Sequence, residues 1–188
     1  MRQSIIIILI IFITELKAQE PIIAWQQTIG GSGLDYFISC NQTSDNGYII
    51  GGYSYSGISG DKTEGNIGSA DYWILKLDSV GDIEWQNTIG GTSSDFLASV
   101  EQTFDGGYII GGYSKSGISG DKTELNITGG EGYDYWIVKL NALGSIEWQN
   151  TIGGNNDDFL VSTHQTMDGG YIIGGYSSST LSGDKSEG

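Results

Sequence analysis

Acidic side chains recur at fixed places in this chain, and they are the residues whose type and spacing could do chemistry. One set follows a Gly-Gly pair in the pattern Gly-Gly-x-x-x-Asp, and a second set recurs in Ser-Gly-Asp-Lys segments. Hard divalent cations such as calcium prefer several carboxylate and carbonyl oxygens, so these acids predict a possible calcium site, although the EF-hand ligand spacing is not matched. The calcium candidates are Asp35, Asp61, Glu64, Asp95, Asp121, Glu124, Asp157, Asp158 and Asp184.

Two other interpretations of the same acidic segments stay open. The acids could bond the hydroxyl groups of a glycan, or polar groups of a protein ligand, while neighbouring aromatic rings stack on sugar. Alternatively, Ser-Gly-Asp-Lys-Thr-Glu is a self-capping turn, in which Asp and Thr side chains bond the local backbone. In that case Lys62 or Lys122 would pair with nearby acids.

A catalytic residue should be unique, and the chain has one histidine and one cysteine. His164 lies where the other repeats have Asn41 and Glu101, on a strand face that we expect to be solvated. Cys40 lies on the apolar face of its strand, which predicts a buried small side chain and not a nucleophile. No Ser-His-Asp or Cys-His set can be built without His164.

Paired carboxylates are the remaining route to an enzyme, as in glycoside hydrolysis. Asp157 and Asp158 are the adjacent pair, but Asp158 recurs as Asp35 and Asp95, which favours a turn or cap role. The glycine-rich segments lack the Lys-Ser/Thr ending that a phosphate-binding loop requires. We therefore predict no catalytic residue and no bound cofactor other than a possible calcium ion.

The elements that must position these acids form a repeat. Trp25-Gln26-Gln27-Thr28-Ile29-Gly30-Gly31 returns, nearly unchanged, at Trp85 and at Trp148, after 60 and then 63 residues. A fixed period of this size predicts a repeat architecture. The repeat boundaries on this pattern are residues 19–84, 85–147 and 148–188, and the third repeat stops before its last strand.

Each repeat contains four runs with the alternating pattern of strands. In the middle repeat these runs are Ile83 to Ile89, Phe96 to Thr103, Tyr108 to Tyr113, and Tyr135 to Leu140. Asp-Gly or Asn-Gly segments join the second and third runs and favour tight hairpin turns. The tryptophans are predicted to be structural, at Trp25, Trp73, Trp85, Trp136 and Trp148.

These runs predict an all-β fold, a β-propeller-like array of four-stranded antiparallel blades of about 60 residues each. The third and fourth runs are apolar on both faces, so they need neighbouring sheets on both sides. About two and two-thirds repeats make an incomplete array, which predicts further repeats or self-association to cover open strand edges. A β-solenoid is the alternative architecture.

A four-stranded meander brings two kinds of connection to the same end of the sheet. One kind holds Asp35, Asp95 and Asp157-Asp158, and the other kind is the long loop carrying the Ser-Gly-Asp-Lys segments. We therefore expect one acidic end rich in Gly and Ser, fringed by Tyr55 and Tyr133, opposite an end of tight turns. Long loops on one face of a rigid scaffold are where function usually lies.

The N-terminus has the pattern of a secretory signal peptide over residues 1–18. Arg2 precedes an apolar run from Ile5 to Ile13, and Leu16-Lys17-Ala18 offers a cleavage site. The formal net charge is −15, and it becomes −16 when Arg2, Glu15 and Lys17 are removed. Such an acidic chain is a poor partner for nucleic acid or an anionic membrane. We expect a protein that is secreted or on the cell surface, without a membrane anchor after cleavage.

The motifs also resemble a known class of proteins. Asp-Gly-Gly-Tyr-Ile-Ile-Gly-Gly-Tyr-Ser and Asp-Tyr-Trp-Ile-x-Lys-Leu-x-x-x-Gly-x-Ile-Glu-Trp are similar to the propeller-like repeats of secreted and surface proteins from Gram-negative bacteria. The similarity covers residues 23–188. It implies an extracellular location and, in many members, a C-terminal sorting domain for type IX secretion. Some members are labelled by similarity to glycan-degrading proteins such as endoglucanases.

These observations predict an exported, non-catalytic repeat scaffold for binding or adhesion at the cell surface, with a glycan or protein ligand at the acidic loop-rich end. The alternative is an accessory, glycan-binding part of a secreted glycan-degrading enzyme whose catalytic residues lie outside this chain. A catalytic module elsewhere in the protein would favour the second interpretation.

Overall fold

The structure is a computed structural model that describes residues 23–129 and 132–187. The predicted signal peptide, residues 1–18, lies outside the described residues. Ten strands are present among them, and no helix there is long and apolar enough to cross a membrane. The strands are β1 (Asp35–Gln42), β2 (Tyr48–Ser54), β3 (Asp71–Leu77), β4 (Ile83–Ile89), β5 (Asp95–Gln102), β6 (Tyr108–Ser114), β7 (Asp134–Leu140), β8 (Ile146–Ile152), β9 (Asp158–Gln165) and β10 (Tyr171–Ser177).

The strands form a row of blade-like antiparallel sheets, so the predicted all-β fold class is confirmed. The first sheet has the order β1-β2-β3-β4 and the second has the order β5-β6-β7-β8. The third sheet contains β9 and β10 among the described residues. Each four-stranded sheet is a meander, in which every strand pairs with its neighbours in the sequence.

The sheets are out of phase with the sequence repeat by one strand. The Trp85 strand, β4, pairs with β3 and closes the first sheet, and the Trp148 strand, β8, closes the second sheet in the same way. The break between two sheets therefore falls just after the Gly-Gly pair, in the short connection from β4 to β5. Period-two patterning predicts strands, but it does not say at which connection the chain leaves one sheet for the next.

Tight turns close the end of the sheets opposite the long loops, as predicted. Asn46 and Gly106 occupy equivalent positions in the β1–β2 and β5–β6 turns, with φ values of 67° and 82°. This left-handed conformation favours Gly and Asn. At the second of these turns, the pKa of Asp105 is lowered to about 2 by a hydrogen bond from Thr103 and by the ammonium group of Lys139.

The core lies between the sheets. We call the face of the second sheet that carries Trp136 its leading face, and the opposite face its trailing face, and we name the matching faces of the other sheets likewise. The leading face of the second sheet packs on the trailing face of the first sheet, where Trp136 contacts Tyr72 at a ring-centroid distance of 5.0 Å. Tyr72 and Trp136 are both fully buried in this interface.

Glycines on the trailing faces let the sheets approach closely. A Cβ atom added to Gly51 would come within 2.8 Å of Leu97 and 3.1 Å of Val100 on the next sheet. The same position on the second sheet, Gly111, faces Leu160 at 3.0 Å. A side chain at either glycine would force the neighbouring sheet away, so the repeated Gly-Gly pair in β2 and β6 is a packing feature.

The leading face of the first sheet is covered only in part. Residues 23–29 lie on it, and Trp25 contacts Tyr48 edge-on at 5.5 Å, as Trp85 contacts Tyr108 on the second sheet. Cys40 is on this face, as predicted, but it is exposed. The prediction that Cys40 is buried is therefore wrong, because burial of this position requires a sheet in front of it.

The five tryptophans differ in how fully they are covered. Trp73 and Trp136, in the third strand of their sheets, are buried, and Trp85 is partly buried. Trp25 and Trp148 are more exposed. The fully buried rings are those with a strand on each side and a covering layer on the leading face.

Candidate functional site

The two kinds of connection that hold the acids meet at one end of each sheet, as the meander predicts. The backbone N–H groups of Asp61, Asp121 and Asp184 donate to the carbonyl oxygens of Gly30, Gly90 and Gly153, at 2.8–2.9 Å. The long loop of each sheet is thereby tied to the Gly-Gly segment that precedes the first strand of the same sheet. We call this the loop-rich end.

Asp95 shows what the Gly-Gly-x-x-x-Asp acids do at this end. Its carboxylate is fully buried and accepts hydrogen bonds from the Gly91 N–H at 2.7 Å and the Ser116 hydroxyl at 3.0 Å. The Ser114 hydroxyl donates to its second oxygen. Burial raises the pKa of Asp95 despite these bonds.

The equivalent acids make the same bonds. Asp35 accepts from the Gly31 N–H at 2.7 Å and from two serine hydroxyls. Asp158 accepts from the Gly154 N–H at 2.7 Å and from the Ser179 hydroxyl at 2.9 Å. Asp157, beside it, accepts from the Tyr133 N–H at 2.9 Å. These carboxylates hold the start of a strand to the neighbouring loop.

The acids of the Ser-Gly-Asp-Lys segments also bond the backbone. Asp61 and Asp121 accept from the N–H groups of Gly30 and Gly90 at 3.1 Å, and Asp184 makes the corresponding bond. Glu64 and Glu124 accept from the N–H groups of Thr88 and Thr151 at 2.6 Å. In the described part of the chain, no three His, Cys, Asp or Glu side chains converge in a way that could hold a metal. Calcium binding stays a prediction.

Lys62 and Lys122 of these segments are buried cations, whereas Lys185 is half-buried. The Lys62 ammonium group donates to the Glu64 carbonyl at 2.9 Å and the Thr88 hydroxyl at 2.6 Å, and it lies 5.6 Å from the centroid of the Trp73 ring. Lys122 repeats this arrangement over Trp136 at 5.3 Å. Burial lowers the pKa of Lys122 to about 8. Lys62 and Lys122 each bond neutral oxygens and an aromatic face, rather than the carboxylate pairing expected from the sequence.

Two further buried acids were missed by the sequence analysis. Asp71 and Asp134 begin the third strand of their sheets and are fully buried. One oxygen of Asp71 accepts from the N–H groups of Ile67 and Gly68, while its other oxygen has no hydrogen-bond partner. Burial raises the pKa of Asp71 and of Asp134 to about 6. In the sequence, these two acids are the Asp of each Asp-Tyr-Trp motif. An Asp in that place looks like the ordinary start of a strand, so the sequence does not indicate its burial.

A row of aromatic rings crosses all three sheets beside the loop-rich end. Tyr53 stacks on Tyr36 at a centroid distance of 4.8 Å and meets Phe96 of the next sheet edge-on, also at 4.8 Å. The second sheet continues the contacts to the third through Tyr113, which meets Phe159 at 4.9 Å. We call the eight rings the aromatic ladder: Tyr36, Tyr53, Tyr55, Phe96, Tyr113, Tyr133, Phe159 and Tyr176.

The aromatic ladder is open to solvent along its length. None of the eight rings is buried, and Tyr36, Tyr55 and Tyr176 are exposed. Lys115 lies 6.0 Å from the centroid of the Tyr133 ring. Of the ladder residues, the sequence analysis assigned only Tyr55 and Tyr133 to this end. The others lie at strand ends, where the sequence shows aromatic character but not that successive sheets align the rings.

The two unique residues lie away from the loop-rich end. His164 is exposed near the end of β9, and its Nδ1 lies 2.7 Å from a carboxylate oxygen of Glu101. Its predicted solvated position is confirmed. Cys40 lies on the open leading face of the first sheet.

Comparison with known proteins gives no assignment. No family model matches the chain, and no curated protein matches it.

Proposed function

We propose that this protein is a non-catalytic repeat scaffold that binds a glycan along the aromatic ladder. The observation that carries the proposal is the continuity of the ladder: rings from three sheets follow one another at centroid distances of 4.8–6.4 Å. A sugar ring has an apolar face of C–H groups that packs well against an aromatic ring. Successive rings on a rigid scaffold therefore suit an extended chain of sugars better than a single small molecule.

The acids of the loop-rich end have a supporting role in this proposal. Asp35, Asp95 and Asp158 use their carboxylates to fix the connections, so they hold the ladder in place and leave recognition to the rings and loop hydroxyls. In this proposal, exposed polar residues of the connections before β1, β5 and β9, such as Ser32, Thr92 and Asn155, bond sugar hydroxyls. A mostly aromatic surface with a small number of polar groups beside it is typical of ligand-binding sites.

Export to the cell surface completes the proposal. It rests on the signal-peptide pattern of residues 1–18 and on the resemblance to secreted repeat proteins, and the acidic composition is compatible with it. The same ladder would serve the alternative function, an accessory part of a secreted glycan-degrading enzyme. Glycan cleavage by the complete protein, abolished by a change outside this chain, would favour that alternative.

A calorimetric titration with cellohexaose, and in parallel with xylohexaose, tests the binding proposal. We expect saturable binding that the double variant Tyr36→Ala/Tyr55→Ala weakens by about tenfold or more, since one lost stacking contact of about 1.4 kcal/mol is a factor of ten. The matched control is Phe104→Ala, which removes an exposed aromatic ring at the tight-turn end. Binding of neither sugar, or an equal loss with the control variant, would overturn the glycan assignment.

A further inference from the structure

The two sheet-to-sheet interfaces within the chain are built from the same contact. A pair of side chains on the leading face of one sheet packs against a glycine on the trailing face of the sheet before it. Leu97 and Val100 pack on Gly51 in this way, and Leu160 packs with Thr163 on Gly111. All four of these side chains are at most 1% exposed. In both interfaces, therefore, a leading face is covered by a trailing face.

The leading face of the first sheet has a pair of side chains at the same two positions, but no sheet among the described residues packs on them. Phe37 and Cys40 stand where Leu97 and Val100 stand on the second sheet, yet Phe37 is 61% exposed and Cys40 is exposed. A groove of about 320 Å³ opens beside them, lined by side chains that include Ile29, Ile50 and Trp73. The groove lies between Phe37 and the side chains of Gln27 and Ile29. The segment 23–29 takes the place that β4 has in front of the second sheet, since Trp25 contacts Tyr48 as Trp85 contacts Tyr108.

The trailing face of the third sheet carries the matching half of the contact. Ile172 is 61% exposed, although its counterparts Ile49 and Ile109 are fully buried. Gly174 is the counterpart of Gly51 and Gly111, and among the described residues a Cβ atom added there would meet only the Ser162 hydroxyl, at 3.5 Å. Tyr176 is exposed on the same face.

We propose that these two faces bind each other between copies of the chain, so that the third sheet of one copy packs head-to-tail on the first sheet of the next. The contact continues an interface that the chain already forms twice, with Phe37 and Cys40 placed against Gly174 of the second copy. It would also place Tyr36 of one copy beside Tyr176 of the other, which extends the aromatic ladder across the junction. Such a heterologous contact makes rings if the rotation closes, and filaments if it does not.

The charges at the two faces allow this contact. Where the second sheet meets the third, Glu101 and His164 face each other, and in the proposed junction His164 would face Asn41 of the next copy. No carboxylate opposes another carboxylate at that position. The overall charge of −15 repels like copies, so assembly should strengthen with added salt, which screens that repulsion.

Sedimentation velocity of this chain without its predicted signal peptide, under reducing conditions, tests the proposal, with concentrations up to about 100 μM because assembly depends on concentration. Phe37→Arg blocks the leading face and Gly174→Arg blocks the trailing face, and neither residue is buried. We expect the unchanged chain to form dimers and larger species and each variant to be monomeric. Met167→Arg, at a fully exposed turn, is the control and should assemble normally.

Mixing the two variants gives the sharpest result. Phe37→Arg keeps an intact trailing face and Gly174→Arg keeps an intact leading face, so the mixture should form one-to-one dimers and nothing larger. Each variant alone should have the same melting temperature as the unchanged chain at a concentration low enough to keep that chain monomeric. Equal values would show that both variants are folded. A monomeric parent chain, assembly that survives either variant, or a mixture that stays monomeric would overturn the head-to-tail contact.

Discussion

The first and second sheets have nearly the same sequence but different surroundings. Leu97 on the second sheet is 1% exposed because the trailing face of the first sheet covers it, whereas Phe37 at the equivalent position is 61% exposed. Their strands, β1 and β5, have the same alternating pattern and the same bulge after the third residue of the strand. The difference shows that burial in this fold depends on the neighbouring sheet more than on the local sequence.

The same comparison separates structural from exposed aromatic residues. Trp136 is covered by the first sheet and by Lys122, and it is fully buried, while Trp148 on the following strand is 40% exposed. Tyr72 and Tyr53 lie on the same trailing face, but only Tyr72 is buried. The rings of the aromatic ladder are therefore less covered than Tyr72 and Trp136, whose contact holds the first two sheets together.

The largest expected effect comes from removing the ring at the centre of the interface. Trp136→Ala should lower the free energy of unfolding by about 3–5 kcal/mol, because the ring leaves a cavity in close-packed surroundings. Trp148→Ala should cost less than half as much, since that ring is 40% exposed. Urea unfolding followed by circular dichroism measures both values, and equal losses would contradict the assignment of Trp136 to the core.

The next largest effect compares the loss of stability at equivalent positions of the first and second sheets. Leu97→Ala should cost about 3 kcal/mol, within the usual range for a buried leucine. Phe37→Ala should cost less than about 1 kcal/mol in the monomer, because an exposed side chain buries little area on folding. The same urea experiment at low protein concentration gives both values. A large loss with Phe37→Ala would mean that a cover forms over the first sheet within one molecule.

The buried acids at the start of β3 and β7 predict a pH dependence. Burial raises the pKa of Asp71 and Asp134 from 3.8 to about 6, so the folded protein binds more protons than the unfolded chain between these values. Stability should therefore increase as the pH falls from 7 to 5, by about 1 kcal/mol for each group.

Asp134→Asn removes one of these groups and should make the slope of stability against pH smaller but not zero, because Asp71 keeps its raised pKa and burial raises the pKa of Asp95 as well. The exposed Asp82→Asn is the control and should leave the slope unchanged. Thermal melts at several pH values between 5 and 7 measure the slope. Stability that falls on acidification over this interval would show that these carboxyl groups are not desolvated in the folded protein.

The smallest effect compares equivalent turns of the first two sheets. Gly106→Ala should cost about 1 kcal/mol, since φ is 82° and open space around the residue leaves backbone strain as the main penalty. Asn46→Gly should change stability by only a few tenths of a kcal/mol, because Asn already tolerates this conformation. Thermal melts resolve the first value. A neutral Gly106→Ala would mean that the turn rearranges.

Much of the local structure could be predicted from the sequence. The strand Ile83–Ile89 has the predicted bounds, and the other strands of that repeat differ from the prediction by one residue at one end or, for β5, at both ends. Asn46, Gly106 and Gly169 have positive φ in the Asn-Gly and Asp-Gly turns that were predicted between the second and third runs. The long loops and the Gly-Gly segments meet at one end because a meander leaves no other arrangement.

The chemistry of the acids could be predicted only in part. The self-capping interpretation predicted that Asp side chains bond the local backbone, whereas Asp61 and Asp121 bond the N–H groups of Gly30 and Gly90, which lie 31 residues earlier in the chain. It did not anticipate Asp71, whose burial depends on the loop folding over the start of β3, or the buried ammonium of Lys62 on the Trp73 ring. Whether these loops bind calcium is a question for a titration.

By itself, the sequence determined the repeat, the strands, the turns and the end at which the loops gather, because these follow from backbone preferences and period-two patterning over a few residues. Only the tertiary structure decided which sheet the Trp85 strand joins, why Cys40 is exposed, and how eight rings form one ladder. Those properties depend on how neighbouring sheets pack against each other. Local sequence patterns do not specify contacts between residues about 60 positions apart.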